Sequence, residues 1–275
     1  MPPTLDLAQC AVHTRTNLPW SLRDCCEHYA DAGFGGVSVW RDTYDQSGID
    51  EAVRIVRGSG LRVPALVRGG FFVAPDDAGR RAAIDDCVRC IDEAAALNAE
   101  SIVLVVGARP DVPLPDARAM VLSGIAAVAE RAGLAGVRLA IEPLHPMYAA
   151  DKSCVCTCAE ARKICERVGD TSVGVAIDVY HTWWDAELPT EIARLGEAGR
   201  LFGFHVCDWR VETRHMLTDR GLMGDGVIDI RGIRNRMAEA GFRGMTEVEV
   251  FSDEYWAADQ HEYLTLITQR ITTHT

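Results

Sequence analysis

The feature that most constrains this chain is a strand-then-helix alternation running from one end to the other. Apolar runs suited to strands fall at about 6–12, 36–40, 61–68, 101–106, 137–142, 173–178, 201–206 and 245–250. Amphipathic stretches with helical periodicity lie at about 20–32, 48–58, 77–97, 115–133, 157–168, 188–197, 229–240 and 257–272. A strand that always returns through a helix pairs in parallel with its neighbour, and eight such units are the number that closes a barrel. Gly-Phe-Gly-Gly at 33–36, Gly-Ser-Gly at 58–60 and Ala-Gly at 132–133 supply helix stops before strands. The expected fold is therefore α/β, a (β/α)8 TIM barrel, with residues 1–275 forming a single domain. A doubly wound sheet is disfavoured because no Gly-x-Gly-x-x-Gly follows the first strand.

Four successive apolar runs end on a metal-type ligand. Val137-RLAI ends on Glu142, Ser172-VGVAI on Asp178 and Leu201-FGF on His205, while Met245-TEVEV carries Glu249 next to its end. The spacings of 36, 27 and 44 residues are each about one βα unit, so the four side chains converge at one rim. That rim, at the C-terminal ends of the strands, is where barrels place their chemistry. A carboxylate closing a buried strand is costly unless it is paired or binds a cation. Two glutamates, one aspartate and one histidine form a mostly hard-oxygen set. It suits one divalent ion, Mn²⁺ first, with Mg²⁺, Co²⁺ or Zn²⁺ as alternatives. The competing reading makes one or two of them rim residues paired with arginine.

Composition removes several function classes. A net charge of −12 argues against nucleic acid or an anionic membrane as partner. Lys152 and Lys163 are the only lysines and neither ends a strand, which argues against a Schiff-base aldolase. No apolar run approaches the length of a membrane span, and MPPTLDLAQC lacks the regions of a signal peptide. The ten cysteines are accordingly expected to be reduced and the chain cytoplasmic. Cys87-x-x-Cys90 falls in a helix without a second pair. Cys154, Cys156 and Cys158 are either a soft-metal cluster or small residues beside the Thr157-x-x-Glu160 capping box.

The motifs AIEPLHP, GVAIDVYH, FHVCD, DRGLMGDGVID and EVEVF, spanning about 139–251, resemble the xylose isomerase-like TIM-barrel superfamily. The resemblance is strongest to inosose isomerases and dehydratases and to ketose 3-epimerases. It implies that Glu142, Asp178, His205 and Glu249 bind one divalent metal, and that His181 and Arg220 stand at the substrate. It also favours Glu249 over Glu247 as the ligand, leaving Glu247 deeper as a supporting or arginine-paired group.

The implied reaction is isomerisation or epimerisation of a keto-sugar or cyclitol, and with no Gly-rich phosphate grip in the sequence an unphosphorylated substrate is expected. A metal on the substrate oxygens acidifies the α C–H and stabilises an enediolate. Glu142 and Glu249 would remove and return the proton. His145, on the Glu142 loop, is a further base, or else a loop histidine capping backbone. Phe71, Phe72, Trp183, Trp184, Trp209 and Trp256 crowd the expected mouth, with Trp183 and Trp209 as candidate substrate contacts.

The runner-up is β-elimination from an inosose or a 3-keto-glycoside, using His145 on the leaving group. The related AP endonucleases hold three zinc ions with many more histidines, and VVGARP after the fourth strand has none. A non-catalytic barrel subunit is disfavoured by the complete tetrad. A homo-oligomer remains open.

Overall fold

In this computed structural model, which describes residues 5–275, the expected alternation closes on itself. The strands are β1 (Cys10–His13), β2 (Gly36–Trp40), β3 (Val63–Gly70), β4 (Ala99–Val105), β5 (Arg138–Ile141), β6 (Val173–Asp178), β7 (Leu201–Val206), β8 (Asp208–Trp209), β9 (Arg220–Gly221) and β10 (Thr246–Val248). The helices are α1 (Leu22–Asp31), α2 (Ile49–Ser59), α3 (Asp77–Leu97), α4 (Leu114–Leu134), α5 (Cys158–Val168), α6 (Val179–Thr182), α7 (Leu188–Glu197), α8 (Ile230–Glu239), α9 (Asp253–Trp256) and α10 (Gln260–His274). Eight strands form a closed barrel in the order β1-β10-β7-β6-β5-β4-β3-β2, every pair parallel. The chain is a (β/α)8 barrel.

Local chemistry sets the boundaries. Ser21 and Asp24 form a reciprocal cap on α1, and Thr157 and Glu160 do the same on α5. Two boundaries differ from the periodicity reading. The first strand starts at Cys10 rather than near residue 6, because Asp6 accepts the Ala8 amide and winds Leu7–Gln9 into a 3₁₀ turn. The last helix starts at Gln260, where Asp259 accepts the His261 and Glu262 amides, and the preceding turn is the separate α9.

The main core lies between barrel and helices, with Cys87 and Ile91 of α3, Ile125 and Val128 of α4, and Ile267 and Ile271 of α10 all buried there. Smaller clusters are separate from that layer: Ala65, Val67 and Val103 in one, Ala140, Ala176 and Phe202 in another. Ala140 and Ala176 precede Glu142 and Asp178 by two residues, so they share the inward face with the ligands. They are small, which leaves room beneath the acids. Gly203 has the same function at β7, since a Cβ there would come within 3.3 Å of His205 Nε2 and 3.0 Å of the Ala176 Cβ.

All ten cysteines are unpaired. Cys87 and Cys90 are buried on α3, and burial pushes both thiols up, away from the thiolate a metal would need. Cys154 and Cys158 are buried around the α5 cap. No helix among the described residues is long and apolar enough to cross a membrane.

Candidate active site

The barrel register brings the strand-end ligands together. Asp178 and His205 are direct neighbours across β6 and β7, and His205 faces Glu247 across β7 and β10. The β10 ladder runs one step further, with the Glu249 amide donating to the Val206 carbonyl at 3.1 Å. The Glu142 amide likewise donates to the Leu104 carbonyl at 3.1 Å. One ligand atom from each of Glu142, Asp178, His205 and Glu249 then lies within 4.8 Å of the other three, and all four residues are buried. Asp178 has two functions, because its Oδ1 also accepts the Tyr180 amide at 2.8 Å and so starts α6.

Arg220 is the permanent cation of this site. It arrives from β9, which pairs antiparallel with β8. Its Nη1 donates to Asp178 Oδ2 at 2.8 Å and to Glu249 Oε2 at 3.0 Å. The guanidinium is held between the rings of Tyr180 and Phe251, at 4.5 and 5.1 Å. Arg220 Nη2 lies 3.1 Å from His181 Nε2, and the His145 amide lies 3.3 Å from His181 Nδ1. A neutral imidazole has one acceptor nitrogen, so a given tautomer takes one of these donors.

The hairpin carrying Arg220 is fastened by Asp208. Its Oδ1 accepts the Trp209 amide at 2.8 Å and the Ile228 amide at 3.0 Å, and its Oδ2 accepts the Gly224 amide at 3.0 Å.

Glu247 sits below the rim and pairs with no arginine among the described residues. Its Oε2 accepts the Ser38 hydroxyl at 2.6 Å and lies 3.4 Å from His13 Nε2. His13 links the two glutamates, with its Nδ1 at 3.1 Å from Glu249 Oε1. Four buried carboxylates therefore crowd around the one buried guanidinium, Arg220, and the directions of the pKa shifts follow from that crowding. Burial raises Asp178, and Glu249 and Glu142 add to it against the opposing pull of Arg220. Burial disfavours a charged His205, yet its contact with Glu142 at 2.8 Å and the charges of Glu247 and Glu249 lift it to about 10. A divalent ion among these oxygens would remove most of that deficit. The donor set fits a hard or borderline cation with oxygen and imidazole ligands.

A cavity of ≈ 200 Å³ opens over the tetrad, with Glu142, Glu249, His181 and Arg220 on its walls. Its aromatic and cationic lining was not the expected one. Trp40, Tyr148 and Phe251 supply the rings, and Arg15, Arg68 and Lys152 the charges. Trp183 and Trp209 do not line it. Trp209 is stacked on Tyr180 at 4.7 Å with Trp183 beside it at 5.7 Å, because the β8–β9 hairpin folds these rings onto each other. Phe72 is buried in the core and Trp256 donates to the Arg15 carbonyl at 3.0 Å. His145 is also absent from the lining. Its Nδ1 accepts the Met147 amide at 3.2 Å, and its ring packs on Trp209 at 5.0 Å, which is the backbone-capping arrangement. His13 had a sequence signal that went unread: the run Cys10-Ala-Val ends on a histidine as Leu201-FGF does.

The profile of the family described as xylose isomerase-like TIM barrel matches residues 26–267, most of the chain. The chain belongs to that family. A close structural likeness within reach of sequence is the protein SMc04130 of Sinorhizobium meliloti 1021. It is 47% identical, with a TM-score of 0.94 over 97% of this chain and 98% of that one. The inosose isomerase of Halalkalibacterium halodurans is 25% identical over 220 residues, 78% of this chain and 75% of its own length. The IolI protein, solved with a zinc atom bound, superposes with a TM-score of 0.84 at 18% identity, covering 97% of this chain and 99% of that chain. At that identity the likeness speaks for the fold.

Proposed function

We propose that this protein is a divalent-metal-dependent isomerase or epimerase acting on a keto-sugar or cyclitol. The observation that carries the reading is the buried tetrad, four ligand atoms within 4.8 Å of one another beneath an open cavity. The similarity to an inosose isomerase supports the substrate class, and the zinc atom in the IolI structure supports a metal in this family's barrel. Glu142, Asp178, His205 and Glu249 would hold the ion, Mn²⁺ first among the candidates and Zn²⁺ next. When bound, it would polarise a substrate carbonyl and acidify the adjoining C–H.

The chain's own residues account for the proton. Glu142 and Glu249 both reach the cavity. Glu142 Oε1 is engaged by His205, and its Oε2 has no partner among the described residues, so Glu142 can accept a proton without breaking a contact. Glu249 is held by His13 on one oxygen and Arg220 on the other. Burial alone would raise it, but the charges of His13 and Arg220 keep it well below the usual carboxylate range. Arg220 and His181 orient the substrate oxygens. His145 caps the loop and is absent from the cavity lining, which favours isomerisation or epimerisation over elimination.

The test is twofold. Elemental analysis before and after chelation should find one divalent ion per chain, lost in Asp178→Asn and His205→Ala. Metal-loaded protein in D₂O should place deuterium at the α-carbon of ketoses or inososes. Full metal occupancy in both variants would refute the site, and absence of exchange across that panel would refute the reaction.

A further inference from the structure

The half of the cavity opposite the tetrad carries charges that the proton chemistry leaves unused. The ligands come from β5, β6, β7 and β10, whereas Arg15 follows β1, Trp40 ends β2 and Arg68 lies on β3. Both guanidiniums are stacked against one ring, with the Arg15 Cζ at 5.6 Å and the Arg68 Cζ at 5.9 Å from the Trp40 centroid. Arg68 also lies over Phe71 at 4.6 Å. Burial and then Arg15 depress Arg68, while Asp42, Glu142 and Glu249 act in the other direction.

Their partners do not balance them. Arg15 is paired through Nη2 with Asp42, but its Nε is buried and has no acceptor among the described residues. Arg68 is exposed on β3 and has neither a hydrogen bond nor an ion pair among the described residues, so its guanidinium is free to meet a ligand at the cavity. Two like charges resting on one ring beside a cavity repel each other. An anion between them reverses the sign, and guanidiniums are suited to the planar or tetrahedral oxygens of a carboxylate or phosphate.

We propose that the substrate carries an anionic group, a carboxylate or a phosphate, bound between Arg15 and Arg68 on the cavity wall opposite the metal ligands. The sequence expectation is an unphosphorylated substrate, but an anion site built from side chains needs no glycine-rich loop. Lys152, on the same cavity, adds a third cation. The proposal takes the reacting end of the substrate from the isomerase or epimerase reading, but the anion site stands on its own contacts.

The experiment compares D-fructose, D-fructuronate and D-fructose 6-phosphate on Mn²⁺-loaded wild-type and Arg68→Gln protein. Equilibrium binding is measured by calorimetry and α-carbon deuterium uptake by NMR. The expected result is that at least one anion binds wild type about tenfold or more tighter than D-fructose, since hydrogen bonds to charged groups are the strong ones. That ratio should fall about tenfold in Arg68→Gln, shrink with added salt, and survive in part in Arg68→Lys. Whichever anion has the larger Arg68-dependent ratio identifies the group.

D-fructose binding as tightly as both anions, or an equal loss for all three compounds in Arg68→Gln, or no binding of any, overturns the proposal. Deuterium uptake without anion preference in wild type keeps the isomerase reading and removes the anion site. Arg68-dependent anion binding without uptake by any compound does the reverse.

Discussion

Replacing Arg220 with methionine tests the electrostatic account of the site most directly. The guanidinium is wholly buried, bonded to Asp178 and Glu249, and fills the space between Tyr180 and Phe251. Methionine retains much of that packing while leaving buried carboxylates without their permanent cation. Removing one partner of a buried ion pair costs about 3–5 kcal/mol. For 275 residues, at about 2.1 cal/mol/K per residue, the unfolding entropy is roughly 0.6 kcal/mol/K, so metal-free Arg220→Met should melt about 5–9 °C below wild type.

The sign with pH is also determined. Burial and the neighbouring carboxylates already raise Asp178, and losing Arg220 removes a cause that lowers it. A carboxyl with a raised folded pKa costs stability above that pKa, and the cost fades as pH falls through it. The deficit should therefore shrink from pH 8 to pH 6. A divalent ion supplies the missing charge. At a hundred times its Kd it stabilises by about 2.7 kcal/mol, and the rise should be larger in the variant, where no guanidinium repels it. Calorimetry in chelator and in Mn²⁺ measures all three quantities. Metal-free Arg220→Met within about 1 kcal/mol of wild type, or a larger Mn²⁺ effect on wild type, would refute the reasoning.

Three further outcomes are expected. Glu249→Gln should lower kcat/KM by roughly 10²–10⁴-fold, whereas Glu247→Gln should cost about 1–3 kcal/mol through its Ser38 and His13 contacts with only a modest loss of rate; denaturation and steady-state kinetics separate them, and the opposite ranking means the wrong glutamate was chosen. His145→Ala should lose about 1 kcal/mol of capping and less than about tenfold in turnover. If α-proton exchange survives while product formation falls more than about a hundredfold, elimination is the reaction. Asp208→Ala should cost about 3 kcal/mol or more, since three amides lose a buried acceptor, and KM should rise as the Arg220 hairpin loosens; unchanged urea stability would remove Asp208 from that role.

The barrel was legible because its two kinds of element leave different periods. Strands such as Val173–Asp178 are buried on both faces and read as unbroken apolar runs, while helices such as Ile49–Ser59 show one apolar stripe. The tetrad positions were legible because a charged residue closing such a run has few packing explanations. Side-chain direction in loops was not legible. Trp183 and Trp209 follow strand ends, as expected of mouth residues, but the pairing of β8 with β9 stacks Trp209 on Tyr180. His13 was hidden by a boundary error of a few residues. Once Asp6 is recognised as a cap, the strand shifts to Cys10–His13 and ends on the histidine.

His13 also joins the two halves of the cavity. Its Nδ1 lies 3.1 Å from Glu249 Oε1 and 3.2 Å from the indole nitrogen of Trp40, the ring on which both cavity arginines rest. The indole can only donate and the carboxylate can only accept. Nδ1 therefore satisfies Trp40 when it carries no proton and Glu249 when it does. Neither arrangement satisfies both neighbours, and the unsatisfied one lies on the opposite half of the site in each case. The hydrogen bonding of the acid–base glutamate and that of the ring beneath Arg15 and Arg68 are thus exclusive through a single nitrogen.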